Sequence, residues 1–458
     1  MKRQYFGTDG VRGVANAKLT PELAFQLGAG AAQWMRENGE APVVVIGRDT
    51  RRSGPMLEAA LSAGFAAYGV DVDLLGIAPT PLVSYATRTG RARMGIVVSA
   101  SHNPAPDNGI KFMGHDGRKL PDETEFRIEQ LMSETANRPT GVGVGLIAPA
   151  DELTEAYLEF LMAQVPERLD GMRVVVDGAN GAAYQLGPEV LRRLGAEVIA
   201  INVDPADGMA INATGGATKP KVVQAATAEA KAHIGVAFDG DADRVIFSDG
   251  DGNLINGDRT IALWAAHEHA HGQLKPPVVV GTVMSNGGVE AYLTGLGIQF
   301  ERTNVGDKYV AQRLESTGSR VGGEQSGHII FPAYGPTGDG LTTMLQVLRV
   351  LRVSGRTAAE VYRDFDNWPQ LLVNIAVESK DGWEALLAED LAAAETRLAG
   401  RGRVNVRPSG TSPLLRVMVE ADDAVLRDEI ADSLTARLVD GLRGHVEGRI
   451  DLTHDLGD

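Results

Sequence analysis

The sequence predicts an α/β protein of several domains with a small α+β unit at its end. Three observations carry that expectation. At 458 residues the chain exceeds what one hydrophobic core usually organises. Apolar β-branched runs alternate with Ala/Leu-rich amphipathic stretches over most of the length, the pattern of largely parallel sheets with crossover helices. The last 90 or so residues break that alternation, with strands and helices in another order.

The elements follow in chain order. Strands are expected at 43–47, 70–75 and 94–98, with a helix over 55–68. A second series opens with a strand at 173–177, continues with a helix near 184–194, and reaches strands at 198–201 and 234–238. A third holds a strand at 278–281 and helices near 288–296 and 342–353. The tail reads as strands at 371–377, 403–406 and 414–419 with helices over 383–398 and 424–442. Boundaries near 153, 255 and 369 give domains 1–153, 154–255, 256–369 and 370–458. The stretch 135–149 reads as a polar surface loop.

Composition narrows the function. A net charge of −16 opposes a nucleic-acid surface, although local arginines can still hold an anionic substrate. There is no cysteine, so disulfides and thiolate chemistry are excluded. The start of the chain lacks the apolar run of a signal peptide, and no stretch approaches 18 apolar residues. A cytoplasmic enzyme with no membrane or nucleic-acid partner is expected.

Residues 238–244 read Phe-Asp-Gly-Asp-Ala-Asp-Arg, directly after an apolar strand. Alternate side chains of an extended segment share a face, so Asp239, Asp241 and Asp243 converge. Three close carboxylates repel unless a cation or a proton intervenes. Oxygen ligands suit Mg²⁺, one ion per site, and Arg244 adds a fixed positive charge. A solvated acidic turn is the plain alternative. An EF-hand is excluded, because Arg244 and Gly250 stand where that loop needs Gly and Glu.

Residues 99–104, Ser-Ala-Ser-His-Asn-Pro, follow another strand and expose a hydroxyl on a turn. Ser101 is the candidate nucleophile and phosphoryl carrier, and it is counted with the aspartates among the metal ligands. No G-x-S-x-G surrounds it, which disfavours a serine hydrolase. His102 shapes the loop or touches phosphate. Arg407-Pro-Ser-Gly-Thr offers a guanidinium fork, the hydroxyls of Ser409 and Thr411, and close backbone approach at Gly410 to a phosphate, with Arg416 adding charge. A hairpin turn with a surface arginine is the alternative. The run Arg51-Arg52-Ser53-Gly54 is read as structural or indirect. In Gly323-Glu324-Gln325-Ser326-Gly327-His328, Glu324 and Ser326 can face a polyol. His328 can move a proton or hold phosphate, and Lys111 is a second proton-transfer candidate.

Taken with Thr8-Asp9-Gly10-Val11-Arg12-Gly13, these motifs, in this order, resemble the α-D-phosphohexomutase superfamily over nearly the whole chain. The segments Val283-Met284-Ser285-Asn286 and Thr337-Gly338-Asp339-Gly340, with Gln325, point to its branch acting on glucosamine phosphates. The resemblance implies three α/β domains and a C-terminal α+β domain around a central cleft. It also implies transfer from phosphoserine 101 to glucosamine 6-phosphate, giving glucosamine 1,6-bisphosphate as intermediate and activator. Return of the other phosphate leaves glucosamine 1-phosphate, which supplies UDP-N-acetylglucosamine synthesis. By the same resemblance Arg12 and Lys111 lie near the reacting phosphate, Glu324 and Ser326 hold sugar hydroxyls, and the Arg407 loop holds the other phosphate. Ser412 departs from the Glu that commonly follows that loop in relatives. The same chemistry on mannose or glucose phosphates is the nearest alternative. A metal-dependent phosphatase would leave Ser101 and the Arg407 loop unexplained, and a non-catalytic phosphosugar-binding protein would not require the three aspartates. The protein is expected as a monomer or homodimer.

Overall fold

The computed structural model describes residues 3–7, 9–39, 42–134, 137–409 and 414–453. It divides into two compact units, one of residues 1–282 and 301–362, the other of 283–300 and 363–458. Three α/β domains precede a C-terminal α+β domain.

The first unit begins with a six-stranded sheet in the order Val11–Val14, Asp107–Gly114, Met94–Val98, Val43–Arg48, Asp71–Ile77, Ile147–Pro149. Its centre is parallel, and Val11–Val14 and Asp107–Gly114, far apart in the chain, add to one side of it as an antiparallel pair. A five-stranded sheet follows the same plan. Glu197–Ile201, Arg173–Asp177 and Ile234–Phe238 run parallel, and Val245–Asp249 turns back antiparallel beside the last. In a third sheet Val278–Thr282 lies parallel to Gly322–Gly323, which pairs antiparallel with Ile329–Ile330. The strands Met94–Val98 and Ile234–Phe238 are buried along their whole length, and Arg173–Asp177 is buried from Val174 on, as sheets covered on both faces require.

The helix Pro21–Glu37 starts where chemistry dictates. Thr20 caps it by accepting from Leu23 N, and Pro21 occupies the first turn, where no backbone donor is needed. It crosses Gly54–Ala66 at two glycines. A Cβ on Gly28 would lie 2.5 Å from Leu61 O, and one on Gly64 would lie 2.3 Å from Phe25 O. These glycines blur the helical period in the sequence, yet they allow the backbones to approach and let Leu27, Leu57, Leu61 and Phe65 join one core.

Residues 135 and 136 lie outside the described residues, and residues 137–149 lie at the surface as expected but are not wholly loop or polar. They form a 3₁₀ turn at Gly141–Gly143 and the edge strand Ile147–Pro149, and Val142 and Leu146 are exposed. Parallel pairing with Asp71–Ile77 outweighs the local Gly/Pro content.

The second unit holds the antiparallel sheet Gly402–Pro408, Leu414–Ala421, Gln370–Ala376, His445–Asp451, covered by the helices Trp383–Leu398 and Ala424–Gly441. The 283–286 segment belongs to this unit. Arg403 donates to the carbonyls of Val283 and Ser285, and Glu420 accepts from Gly287 N at 2.9 Å. Asn286 exchanges two hydrogen bonds with the Trp368 backbone. Among the described residues no helix is long and apolar enough to cross a membrane.

Gly64→Ala is expected to cost roughly 1–3 kcal/mol, because the added methyl meets backbone that cannot step aside. Urea unfolding of the variant checks this, and an unchanged midpoint would refute the close crossing.

Candidate active site

Strand ends bring the serine and aspartate loops together. Ser101 follows Met94–Val98, Asp239 follows Ile234–Phe238, and both strands run in the parallel part of their sheet, where loops at the carboxyl ends gather ligands. Ser101 Oγ donates to Asp239 Oδ2 at 2.6 Å. Asp239, Asp241 and Asp243 are all buried, and each offers an oxygen within 4.8 Å of the others. Gly240 is required by the fit of the two loops, since a Cβ there would stand 2.4 Å from Ser101 O.

Each carboxylate is turned by a partner. Asp239 Oδ1 accepts from Arg244 N at 3.2 Å. Asp241 Oδ2 accepts from Thr80 Oγ1 at 2.8 Å and from Lys111 Nζ at 3.1 Å. His328 Nδ1 stands 3.6 Å from Asp243 Oδ2. The remaining Oδ1 atoms of Asp241 and Asp243 are buried and make no hydrogen bond among the described residues. Two orphaned carboxylate oxygens beside a third acid are the donor set of a hard divalent cation, so the residues fit Mg²⁺.

The electrostatics say the same. Burial pushes Asp239 well above the ordinary carboxylate range, and the charges of Asp243 and Asp241 push the same way. Burial would raise Asp243 too, but His328, Lys111 and Arg244 hold it below that range. Burial lowers His328, yet Asp243 outweighs it and raises the ring to about 9. The Gly338 N–H, 3.2 Å from Nε2, calls instead for a lone pair on that nitrogen. A cation on the carboxylates reconciles the two, because it cancels the charge that keeps the ring protonated.

Lys111, on Asp107–Gly114, is buried between Asp241 and Asp9, at 3.1 and 3.3 Å. Burial works against its charge, but Asp241 and Asp9 overcome it and hold the ammonium well above the usual lysine range. Arg12 pairs with the same Asp9. Glu324 Oε1 accepts from Gly306 N at 2.9 Å, and its loop closes by Glu324 N donating to His328 O and Gly327 N to Glu324 O. Ser326 and His102 are half-buried. These residues, from Arg12 to His328, belong to the first unit.

Arg407, Ser409 and Arg416 belong to the second. Arg407 lies directly opposite Arg416 in the antiparallel ladder. Like charges so placed are unfavourable, and an anion between them removes the penalty. Arg416 Nε is buried without a hydrogen-bond partner among the described residues. Gly410, Thr411 and Ser412 lie outside the described residues, as does Thr8.

Sequence reasoning missed three supports. Thr80 orients Asp241, Lys380 donates to Ser409 O at 2.7 Å, and Asn212 donates to Ser101 O at 2.8 Å. None has a motif, because each is brought in by tertiary structure.

Four family profiles match consecutive parts of the chain. They are the phosphoglucomutase/phosphomannomutase alpha/beta/alpha domains I, II and III, over residues 3–139, 155–252 and 256–367, and the C-terminal domain, over 372–437. The chain belongs to the phosphoglucomutase/phosphomannomutase family. It is 50% identical over 436 residues to a phosphoglucosamine mutase of Symbiobacterium thermophilum, covering 94% of this chain and 97% of that one. A phosphoglucosamine mutase of Paracoccus denitrificans is 47% identical, over 95% and 99% of the two chains. Among solved structures, a phosphoglucomutase/phosphomannomutase family protein of Burkholderia thailandensis is similar with a TM-score of 0.78 and 25% identity, covering 95% of this chain and 97% of its own. Parafusin, a phosphoglucomutase of Paramecium, shares the fold at a TM-score of 0.76 and 16% identity, over 98% of both chains.

The raised Asp239 sets a pH dependence. A carboxyl whose folded pKa is raised favours folding while protonated, and that contribution is lost as pH climbs from the ordinary value of 3.8 through the folded one. EDTA-treated protein is therefore expected to gain more in Tm from Mg²⁺ at pH 8 than at pH 5. Calorimetry with and without Mg²⁺ checks this, and Asp241→Asn should shrink the gain. An equal gain at both pH values would remove the repulsion argument.

Proposed function

We infer that this chain is a phosphoglucosamine mutase, an isomerase that interconverts glucosamine 6-phosphate and glucosamine 1-phosphate. The observation that carries the chemistry is the bond from Ser101 Oγ to Asp239 inside a buried group of three aspartates. The sugar is supported by relatives of 45–50% identity over nearly the full chain, each named phosphoglucosamine mutase.

In the active form Ser101 carries a phosphoryl group. Its transfer to the sugar breaks the bond between Oγ and phosphorus and forms a bond from phosphorus to the sugar hydroxyl oxygen, whose proton ends on Oγ, giving glucosamine 1,6-bisphosphate and a free serine. The bisphosphate turns over, and its other phosphoryl group returns to Ser101. Asp239, Asp241 and Asp243 hold Mg²⁺, which when bound neutralises phosphoryl charge as a Lewis acid. The buried Lys111 ammonium presents a fixed positive charge, because Asp241 and Asp9 keep it protonated. Arg12 adds a second cation on Asp9. His328 steadies Asp243, with Gly338 held at its far nitrogen. Glu324, pinned through one oxygen by Gly306, offers the other to sugar hydroxyls beside Ser326. Arg407 and Arg416, with Ser409 and the loop that follows, hold the phosphate that is not reacting.

Intact mass is expected to show a population heavier by one phosphoryl group, absent in Ser101→Ala, which also loses turnover. An active enzyme without modification would remove Ser101 from this role. Glucosamine 6-phosphate should turn over faster than glucose 6-phosphate or mannose 6-phosphate, and the reverse order would overturn the sugar assignment. Arg407→Ala should raise KM by roughly 10- to 100-fold, the worth of one charge-assisted hydrogen bond. Steady-state kinetics measure that, and an unchanged KM would refute the placement.

A further inference from the structure

The serine loop is gripped by an arginine that none of the roles above employs. Arg51 has no solvent exposure. Its Nη2 donates to Ser101 O at 2.9 Å and to Asn103 O at 2.8 Å. Nη1 donates to Pro104 O and, at 3.0 Å, to Asp107 O. Nε donates to Asp49 Oδ2 at 2.8 Å. One guanidinium thus gathers three carbonyls from the serine loop and one from the first residue of the strand that follows it. Asn212 approaches the same loop and donates Nδ2 to Ser101 O at 2.8 Å and to Asn103 O at 3.2 Å. The network closes on the nucleophile from its other side. Ser99 Oγ donates to Asp49 Oδ2 at 2.6 Å and accepts from Ser101 N at 2.9 Å.

The loop needs such a grip. Ser101 sits at φ +51°, in the left-handed region. A residue with a side chain held there costs on the order of 1–3 kcal/mol and persists only where its surroundings over-determine it. Both polar atoms of the Ser101 backbone are fixed, the carbonyl by Arg51 and Asn212 and the N–H by Ser99. That leaves the direction of Oγ toward Asp239 little freedom. The four carbonyls also point their negative ends at the guanidinium rather than at an anionic group on Oγ.

We propose that Arg51, with Asn212, is a positioning clamp that holds Ser101 in its left-handed conformation and so aims Oγ for phosphoryl transfer. The proposal rests on the mutase reading given above. It needs arginine, because the planar fork offers five N–H groups in fixed directions. A lysine keeps the charge beside Asp49 but donates from one point and cannot reach carbonyls on both sides.

The test compares full-length wild type, Arg51→Lys and Asn212→Ala. It reads kcat and KM with glucosamine 6-phosphate, the rate at which glucosamine 1,6-bisphosphate phosphorylates Ser101 by intact mass, Tm, and amide exchange over residues 101–107. Arg51→Lys should lower kcat and the phosphorylation rate on the order of 10²-fold, and Asn212→Ala about tenfold, as misplaced reacting groups do. KM should stay within about twofold, since a loss confined to kcat marks the transition state rather than substrate binding. Exchange over 101–107 should quicken in both. Asn212→Ala leaves the buried ion pair intact, so it carries the test if Arg51→Lys folds poorly. Faster exchange with wild-type kcat and phosphorylation would overturn the clamp as a positioning device, as would a kcat loss no larger than the loss of folded protein. A wild type that takes up no phosphoryl group would overturn the mutase reading and the clamp's part in transfer, while its exchange data would still show whether the loop is held.

Discussion

Three carboxylates buried on one short loop are the constraint around which the first unit is built. Left to themselves they would repel, and burial would make each charge more costly still. The structure answers with partners placed one by one, the Lys111 ammonium on Asp241, the His328 ring on Asp243 and the Arg244 backbone N–H on Asp239. Two carboxylate oxygens are still left over. The surplus negative charge is what makes this group of oxygens fit a divalent cation.

Each compensating group comes from a different stretch of chain, and this couples the domains of the unit. Thr80 reaches Asp241 from the start of the helix Thr80–Thr89, and Lys111 reaches it from a strand on the antiparallel side of the first sheet. His328 bridges to Arg244 from the loop after the third sheet's short strand. Packing is correspondingly close. Gly240 meets the serine loop, and Gly338 meets the His328 ring, with no room for a side chain at either place. Glycine is used here to let backbones and rings approach, at points where a methyl group would force the loops apart.

The second unit solves a different problem with the same means. Arg407 and Arg416 face one another across a ladder where like charges are unfavourable, and Lys380 donates to Ser409 O. A concentration of positive charge in a chain of net charge −16 shows why global charge is a poor guide to an anionic substrate. Local geometry, not the sum, decides what binds.

The sequence by itself determined the local elements wherever one physical signal dominated. The strands Met94–Val98, Arg173–Asp177 and Ile234–Phe238 and the helix Trp383–Leu398 were legible to the residue, because continuous β-branched runs and a clean helical period leave few alternatives. The three aspartates were legible as a group, but they converge on a turn rather than on the extended segment expected, with Ala242 at φ +56° and its N–H donating to Asp239 O. The strands Val11–Val14 and Val245–Asp249 were not legible. Val11–Val14 has only four residues inside a polar motif, and Val245–Asp249 follows a run of charged residues and ends on Ser248 and Asp249, so neither shows a clear apolar period. The helix Pro21–Glu37 was hidden by glycines whose purpose is a crossing partner elsewhere in the chain. Only tertiary structure decided what Arg51, Thr80 and Asn212 do. The partners that matter lie 50 to 161 residues away, and a hydrogen bond to a distant carbonyl or carboxylate leaves no periodic trace in sequence.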